Sequence, residues 1–286
     1  MLLALPLAML GGCSLLRAGY GHLDNWALWQ ADRYFDLEPD QKHEFLKRFD
    51  RLHEWHRYEQ LPDYAALLSG MRGRLQRGPA REDFLWLADG IMARYRTLVR
   101  RGAEDAAAVL MTVTPEQIET LRRRWEEDNR RFVREYRLDR GVEEQQRAHA
   151  RRAASRVRDW VGHLDDAQER RILARARADP LIHGLRHQDR LRRQREFLAL
   201  LEERSDPRKF AARLGHWLAN WEEGRDPEYA RRVGEWLERQ ADLYAAAYGM
   251  LLPQQRAAVI DRLDGYIDDF NRLAQRPAAA QPTAAR

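Results

Sequence analysis

Apolar residues recur at three- and four-residue spacing along most of the chain, the signature of helices with one buried face. Leu23, Trp26, Trp29 and Tyr34 open the pattern with a short aromatic helix. Phe45, Phe49, Leu52 and His56 continue it through an amphipathic stretch over 40–61. Further helices are predicted over 63–76, 81–101 and 104–111. A long one runs from Pro115 towards Leu138 and another over 142–162, with Leu138, Asp139, Arg140 and Gly141 either interrupting them or read through. Later helices are expected after Asp165, Asp179, Asp206 and Asp226, and at Pro253. No segment alternates as a half-buried strand does. The pattern predicts an all-α fold without a sheet, a single multi-helix bundle or irregular helical array over residues 22–276. Residues 277–286, rich in Ala, Pro and Gln, read as a disordered tail.

Composition narrows the chemistry. The chain has 286 residues, of which 33% are charged and only one is Cys. A disulfide framework within the chain is excluded, as is a zinc site with two or more thiolates. Serines stand only at 14, 69, 155 and 205, and no nucleophile elbow or glycine-rich phosphate loop is present. His53 and His56 lie three apart and His183 and His187 four apart, but no carboxylate completes a metalloprotease motif around either pair. Asp32, Asp36, Asp268 and Asp269 are among many carboxylates, and none stands out as half of an acid/base couple. The sequence therefore points to a protein that is not an enzyme, with no cofactor and no metal site.

The most specific signal is N-terminal. Residues 1–10 form an uncharged apolar run, too short to span a bilayer but of the length of an export-signal core. Leu10, Gly11, Gly12 and Cys13 follow it and resemble a bacterial lipobox: a branched residue, two small ones, then the thiol that receives diacylglycerol. The single Cys of the chain stands at that place. Residues 1–12 are thus expected to be a lipoprotein signal, truncated at its start since no Lys or Arg precedes Arg17. Residues 13–21 are then a short linker. Ser14 rather than Asp follows the cysteine, which by resemblance to lipoprotein sorting in Gram-negative bacteria favours the periplasmic face of the outer membrane over the inner membrane.

Four segments share a pattern of an apolar residue with Gln four positions on: Leu37 to Gln41, Val113 to Gln117, Leu164 to Gln168 and Leu251 to Gln255. Each carries Pro or Asp at the position two after the apolar residue, and their spacing follows no fixed period. Helix capping explains them, with Gln at the third helical position bonding back to the cap. Asp179-Pro180, Asp206-Pro207 and Asp226-Pro227 read as helix starts on the same logic.

Charge is unevenly spread. Residues 122–195 hold 22 Arg against 13 Asp and Glu, a net of +9, so the modest +5 of the whole chain leaves −4 elsewhere. Arg122, Arg123, Arg130, Arg134, Arg151, Arg152, Arg192 and Arg193 are the candidate residues of an anionic-ligand surface, with anionic lipid as its partner. The competing reading is an ordinary solvated face, because acids stand three or four residues from many of these arginines. Trp26 and Trp29 fit either the core of the first helix or a membrane- or partner-facing surface near the anchor.

The stretch from Tyr20 through Trp26 and Trp29, the run Asp32 to Gln41, and the segments Trp125 to Phe132 and Arg158 to Leu164 resemble an uncharacterised family of proteobacterial lipoproteins. That resemblance implies an all-helical fold and an envelope location and brings no reaction. A looser likeness links Val113 to Gln117 with the Leu-Thr-x-x-Gln motifs of periplasmic helical chaperones of the Spy and CpxP type. The expected role is a lipid-anchored periplasmic protein that binds an envelope protein or unfolded clients without catalysis. The alternatives are a structural scaffold lipoprotein at the membrane face or, were Cys13 not lipidated, a cytosolic basic helical protein that binds nucleic acid.

Overall fold

A computed structural model of the chain describes residues 14–276. The lipobox residues Leu10, Gly11, Gly12 and Cys13 and the tail 277–286 lie outside the described residues. The fold is all-α, with no strand among the described residues. The helices are α1 (Ser14–Gly21), α2 (Leu23–Phe35), α3 (Pro39–Trp55), α4 (Leu61–Gln76), α5 (Arg81–Leu110) and α6 (Pro115–Glu135), followed by α7 (Val142–Val161), α8 (Asp166–Ala176), α9 (His183–Glu202), α10 (Pro207–Ala219), α11 (Pro227–Gly249) and α12 (Pro253–Leu273).

Several boundaries differ from the expected ones, each for a physical reason. The segment read as a linker is helical from Ser14 onwards. α3 and α4 are joined by a π-helical turn, His56–Gln60, in which the Leu61 N–H reaches back five residues to the His56 carbonyl. This extra residue in the ladder accommodates Pro62, which has no N–H to offer. The helices expected over 81–101 and 104–111 are one, α5, about 45 Å long. Gly102 does not break it; a Cβ there would stand 3.1 Å from Leu52 Cδ2, so the glycine serves the close approach of α3. Leu138 to Gly141 do interrupt α6 and α7, with Arg137 left-handed at φ 58°.

Two clusters of buried side chains sit along α5. The larger gathers Met71 and Leu75 of α4, Ala153, Val157 and Val161 of α7, Ile172 of α8, Leu243 of α11 and Leu263 of α12. The smaller gathers Leu121 of α6, Leu200 and Leu201 of α9, and Phe210 and Leu214 of α10. α5 serves both, lending Phe84, Trp86 and Leu87 to the first and Ala106, Ala107 and Leu110 to the second. At the α4–α5 contact the Trp86 ring covers Gly70, where an added Cβ would lie 2.8 Å from the Trp86 ring, and Arg74 stacks on the same ring at 3.6 Å.

The four glutamine segments are helix entrances, as expected. The backbone N–H groups of Glu38, Thr114, Asp165 and Leu252 donate to the side-chain oxygens of Gln41, Gln117, Gln168 and Gln255 at 2.9, 3.0, 3.0 and 2.9 Å. Capping is only half of what they do. The same amides pair across the fold in twos. Gln41 Nε2 donates to Gln117 Oε1 at 3.0 Å and Gln117 Nε2 returns a bond to Gln41 Oε1 at 2.7 Å. Gln168 and Gln255 repeat the exchange at 2.8 and 3.0 Å. Each Nε2 also reaches a carbonyl in the chain leading to the opposite helix: Thr112 from Gln41, Asp36 from Gln117, Met250 from Gln168 and His163 from Gln255. Two clasps therefore lock four helix entrances, one joining α3 to α6 and the other α8 to α12.

Asp206 and Asp226 cap their helices, accepting from Lys209 N at 3.1 Å and Tyr229 N at 3.0 Å. Asp179 does not, because α9 starts only at His183. Its carboxylate is turned inward and accepts from Gln240 Nε2 at 2.7 Å, with His149 Nε2 at 2.9 Å.

Candidate functional site

The N-terminal face is built on α1, which is fastened to the body at two points. Arg17 Nε lies 3.2 Å from Oδ1 of Asp269 on α12, a carboxylate only 2% exposed. Burial raises the Asp269 carboxyl above the usual carboxylate range, and the neighbouring Arg17 charge works against that rise. The Tyr20 hydroxyl bonds His56 Nδ1 at 2.8 Å, and its ring packs 4.6 Å from that of His53. His53 stacks on Phe49, which stacks on Phe45, so the first histidine pair stands inside an aromatic ladder. Burial, followed by the charge of His53, pushes His56 down to about 4. A neutral imidazole is what an aromatic setting favours.

α2 follows immediately and buries no residue. Trp26 and Trp29 are 42% and 56% exposed, so they are not core side chains. They share one helix face with His22 and Arg33, whose guanidinium lies 5.8 Å from the Trp29 ring. The buried sides of the neighbouring residues meet α6: the Tyr34 hydroxyl donates to Asp128, and Arg33 approaches the same carboxylate at 3.7 Å.

A second feature lies between α5 and α10. An open groove of about 800 Å³ has a floor of Ala103, Ala107, Ala211, Gly215 and Ala219. Small side chains let the two helices approach closely, a Cβ on Gly215 falling 3.1 Å from Ala103 Cβ. Met111 lines one wall, and Arg100, Arg208 and Glu104 stand along the lining. Alanine carries no functional signal in a helical sequence, and nothing in the spacing pointed to this groove.

The eight candidate arginines are dispersed. Arg122, Arg123, Arg130 and Arg134 stand exposed on the outer side of α6, and Arg151 on α7. Glu116, Glu119, Glu126 and Glu127 share that α6 surface, pairing Arg122 with Glu119 at 3.1 Å and Arg130 with Glu126 at 3.8 Å. The face is one of mixed charge. The other three arginines turn inward. Arg152 lies 4.8 Å from the Tyr136 ring and donates to the Glu135 carbonyl at 3.2 Å. Arg192 bonds Asp189, Glu196 and the Glu223 carbonyl at 2.8, 2.6 and 2.8 Å. Arg193 stacks on Trp217 at 3.5 Å, and burial lowers it to about 10.

The second histidine pair is also absorbed by packing. His183 lies 4.1 Å from the Tyr136 ring, and His187 stacks on Phe132 at 5.7 Å. Burial, with Arg152 and Arg186 nearby, drives His183 down to about 3. No group of three or more His, Cys, Asp or Glu among the described residues is arranged to hold a metal. No helix among them is long and apolar enough to cross a membrane.

A family of unknown function, DUF6279, matches residues 33–230. No curated protein and no solved structure matches the chain. The match takes in α3 to α10, with the buried residues of the smaller cluster and the groove. The chain belongs to the DUF6279 family of unknown function.

Proposed function

We propose that the chain is a lipid-anchored protein of the periplasmic face of the outer membrane that binds exposed segments of envelope proteins or unfolded clients and catalyses no reaction. The lipobox-like Leu10, Gly11, Gly12 and Cys13 support the location. The observation that carries the binding role is the groove between α5 and α10. Above the buried alanines of its floor, Ala108, Met111, Pro207, Ala211 and Ala212 offer accessible apolar contact without side-chain hydrogen-bond demands, so it accepts many sequences rather than one. Arg100 and Arg208 beside it favour segments flanked by acidic residues. An apolar segment laid there removes its own surface from water at roughly 25 cal/mol per Å².

The test is suppression of aggregation of a reduced client. The wild-type chain is expected to delay light scattering by reduced insulin at near-equimolar ratio. Ala212→Glu puts a charge into the groove at an exposed position of α10 and should abolish most of the delay while leaving the helical circular dichroism unchanged. Wild-type protein that leaves scattering unaltered, or a variant as effective as wild type, would overturn the binding role.

A further inference from the structure

We infer that the outward side of α2, formed by His22, Trp26, Trp29 and Arg33, is a bilayer-docking face that lies in the head-group zone of the membrane; the inference rests on the lipid-anchored reading of Cys13. Residues 22, 26, 29 and 33 follow the spacing of a single helical stripe. The stripe itself carries no carboxylate, and at its end Arg33 leans towards Asp128 of α6 at 3.7 Å. Asp24 lies on the opposite side of the helix, and Asp32 is engaged on the flank by Lys42 at 3.0 Å and by the Leu37 N–H at 2.9 Å. Two large indoles flanked by a guanidinium and an imidazole match the chemistry of a membrane–water boundary. Indole there presents an apolar ring and a polar N–H.

Position selects the bilayer over a protein partner as the occupant. The chain outside the described residues ends at Cys13, and α1 begins at Ser14. Ten extended residues would reach about 35 Å and let the body rotate freely. The helical α1 rises only about 12 Å over its eight residues and is held by the Arg17–Asp269 and Tyr20–His56 contacts. An acylated Cys13 is thus joined to the body by a short, docked element. The surfaces next to α1 then face the membrane, and the α2 stripe is the neighbouring surface with exposed aromatics.

The full chain, purified from membranes, is mixed with vesicles of phosphatidylcholine and phosphatidylglycerol whose acyl chains are brominated, so that indoles entering the interface lose fluorescence. Wild type is compared with Trp26→Ala/Trp29→Ala, whose side chains are exposed and leave the core intact. Labelled palmitate on Cys13 is measured in parallel. The docking face predicts quenching of wild type, loss of most of it in the double variant, and dissociation from vesicles on the order of tenfold or more easier in that variant. Equal quenching of the two proteins, or none in wild type, would overturn the proposal and turn α2 towards a protein partner. Absence of palmitate strikes the anchor reading instead, and the quenching of added vesicles still decides the stripe.

Discussion

Replacing Gln117 by Met tests whether the glutamine clasps hold the fold or merely decorate helix ends. The side chain is 6% exposed and its amide makes four contacts. It donates to Gln41 Oε1 and the Asp36 carbonyl at 2.7 and 2.9 Å, and it accepts from Gln41 Nε2 and the Thr114 N–H, both at 3.0 Å. Methionine keeps the length and volume but removes every bond. Gln41 retains the Thr112 carbonyl and the Glu38 N–H as partners, so the stranded groups are the Asp36 carbonyl and the Thr114 N–H. Leaving a buried polar group unmade costs about 1–3 kcal/mol, which puts Gln117→Met at about 2–4 kcal/mol. At roughly 2–4 °C per kcal/mol the melting temperature should fall by about 5–15 °C. The neighbouring Gln254, exposed in the corresponding segment of the other clasp, is the control and should change stability by less than about 0.5 kcal/mol on substitution by Met. Urea unfolding followed at 222 nm on Gln41→Met, Gln117→Met and the double variant completes a cycle. A coupling of about 1 kcal/mol or more is expected. Additive effects, or a Gln117→Met cost no larger than that of Gln254→Met, would refute the clasp.

Three further perturbations follow from the same structure. His56 and His183 sit at about 4 and about 3, below the usual 6.5, because burial disfavours their charged forms. The unfolded chain therefore binds more protons below pH 6.5, and stability should fall as pH drops from 6.5 towards 4, by up to about 2 kcal/mol per histidine at pH 5. Urea midpoints across that range measure it, and a flat profile would contradict the assignment. Gly70→Ala should lose about 1–2 kcal/mol in thermal unfolding despite alanine's better helix propensity, because Trp86 lies 2.8 Å from the new methyl and is pinned by Arg74; a stabilised variant would show that the ring can move. Asp179→Ala removes the partner of both His149 and Gln240 in a site where each is almost fully buried, and should cost about 3 kcal/mol or more in chemical unfolding. A cost below about 1 kcal/mol would mean that these groups find other partners.

Helix content and most helix starts were legible because they depend on local spacing: Thr114, Asp165, Asp206 and Asp226 cap where their sequence neighbourhood says they should. The clasps were not, since Gln41 meets Gln117 and Gln168 meets Gln255 across 76 and 87 residues, and only the topology brings them together. Asp179 misled for the same reason. An Asp-Pro pair reads as a cap, but two distant side chains claim its carboxylate. Trp26 and Trp29 have the spacing of a core stripe, and their exposure is set by α2 lying at the edge of the body. Arg152, Arg192 and Arg193 look like their exposed neighbours in sequence and differ only in having Tyr136, Asp189 and Trp217 to pack against. Of the functional proposals, the anchor rests on four adjacent residues of sequence, Leu10 to Cys13. The groove is made of alanines that announce nothing until two helices cross.

Everything proposed for the location turns on the chemistry of Cys13. Cells expressing the full chain are grown with radiolabelled palmitate, with and without globomycin, beside cells expressing Cys13→Ala. The account predicts label on the wild-type protein alone, a larger unprocessed form when globomycin is present, and recovery of the labelled protein in the outer-membrane fraction. An unlabelled wild-type chain that partitions like Cys13→Ala would contradict it.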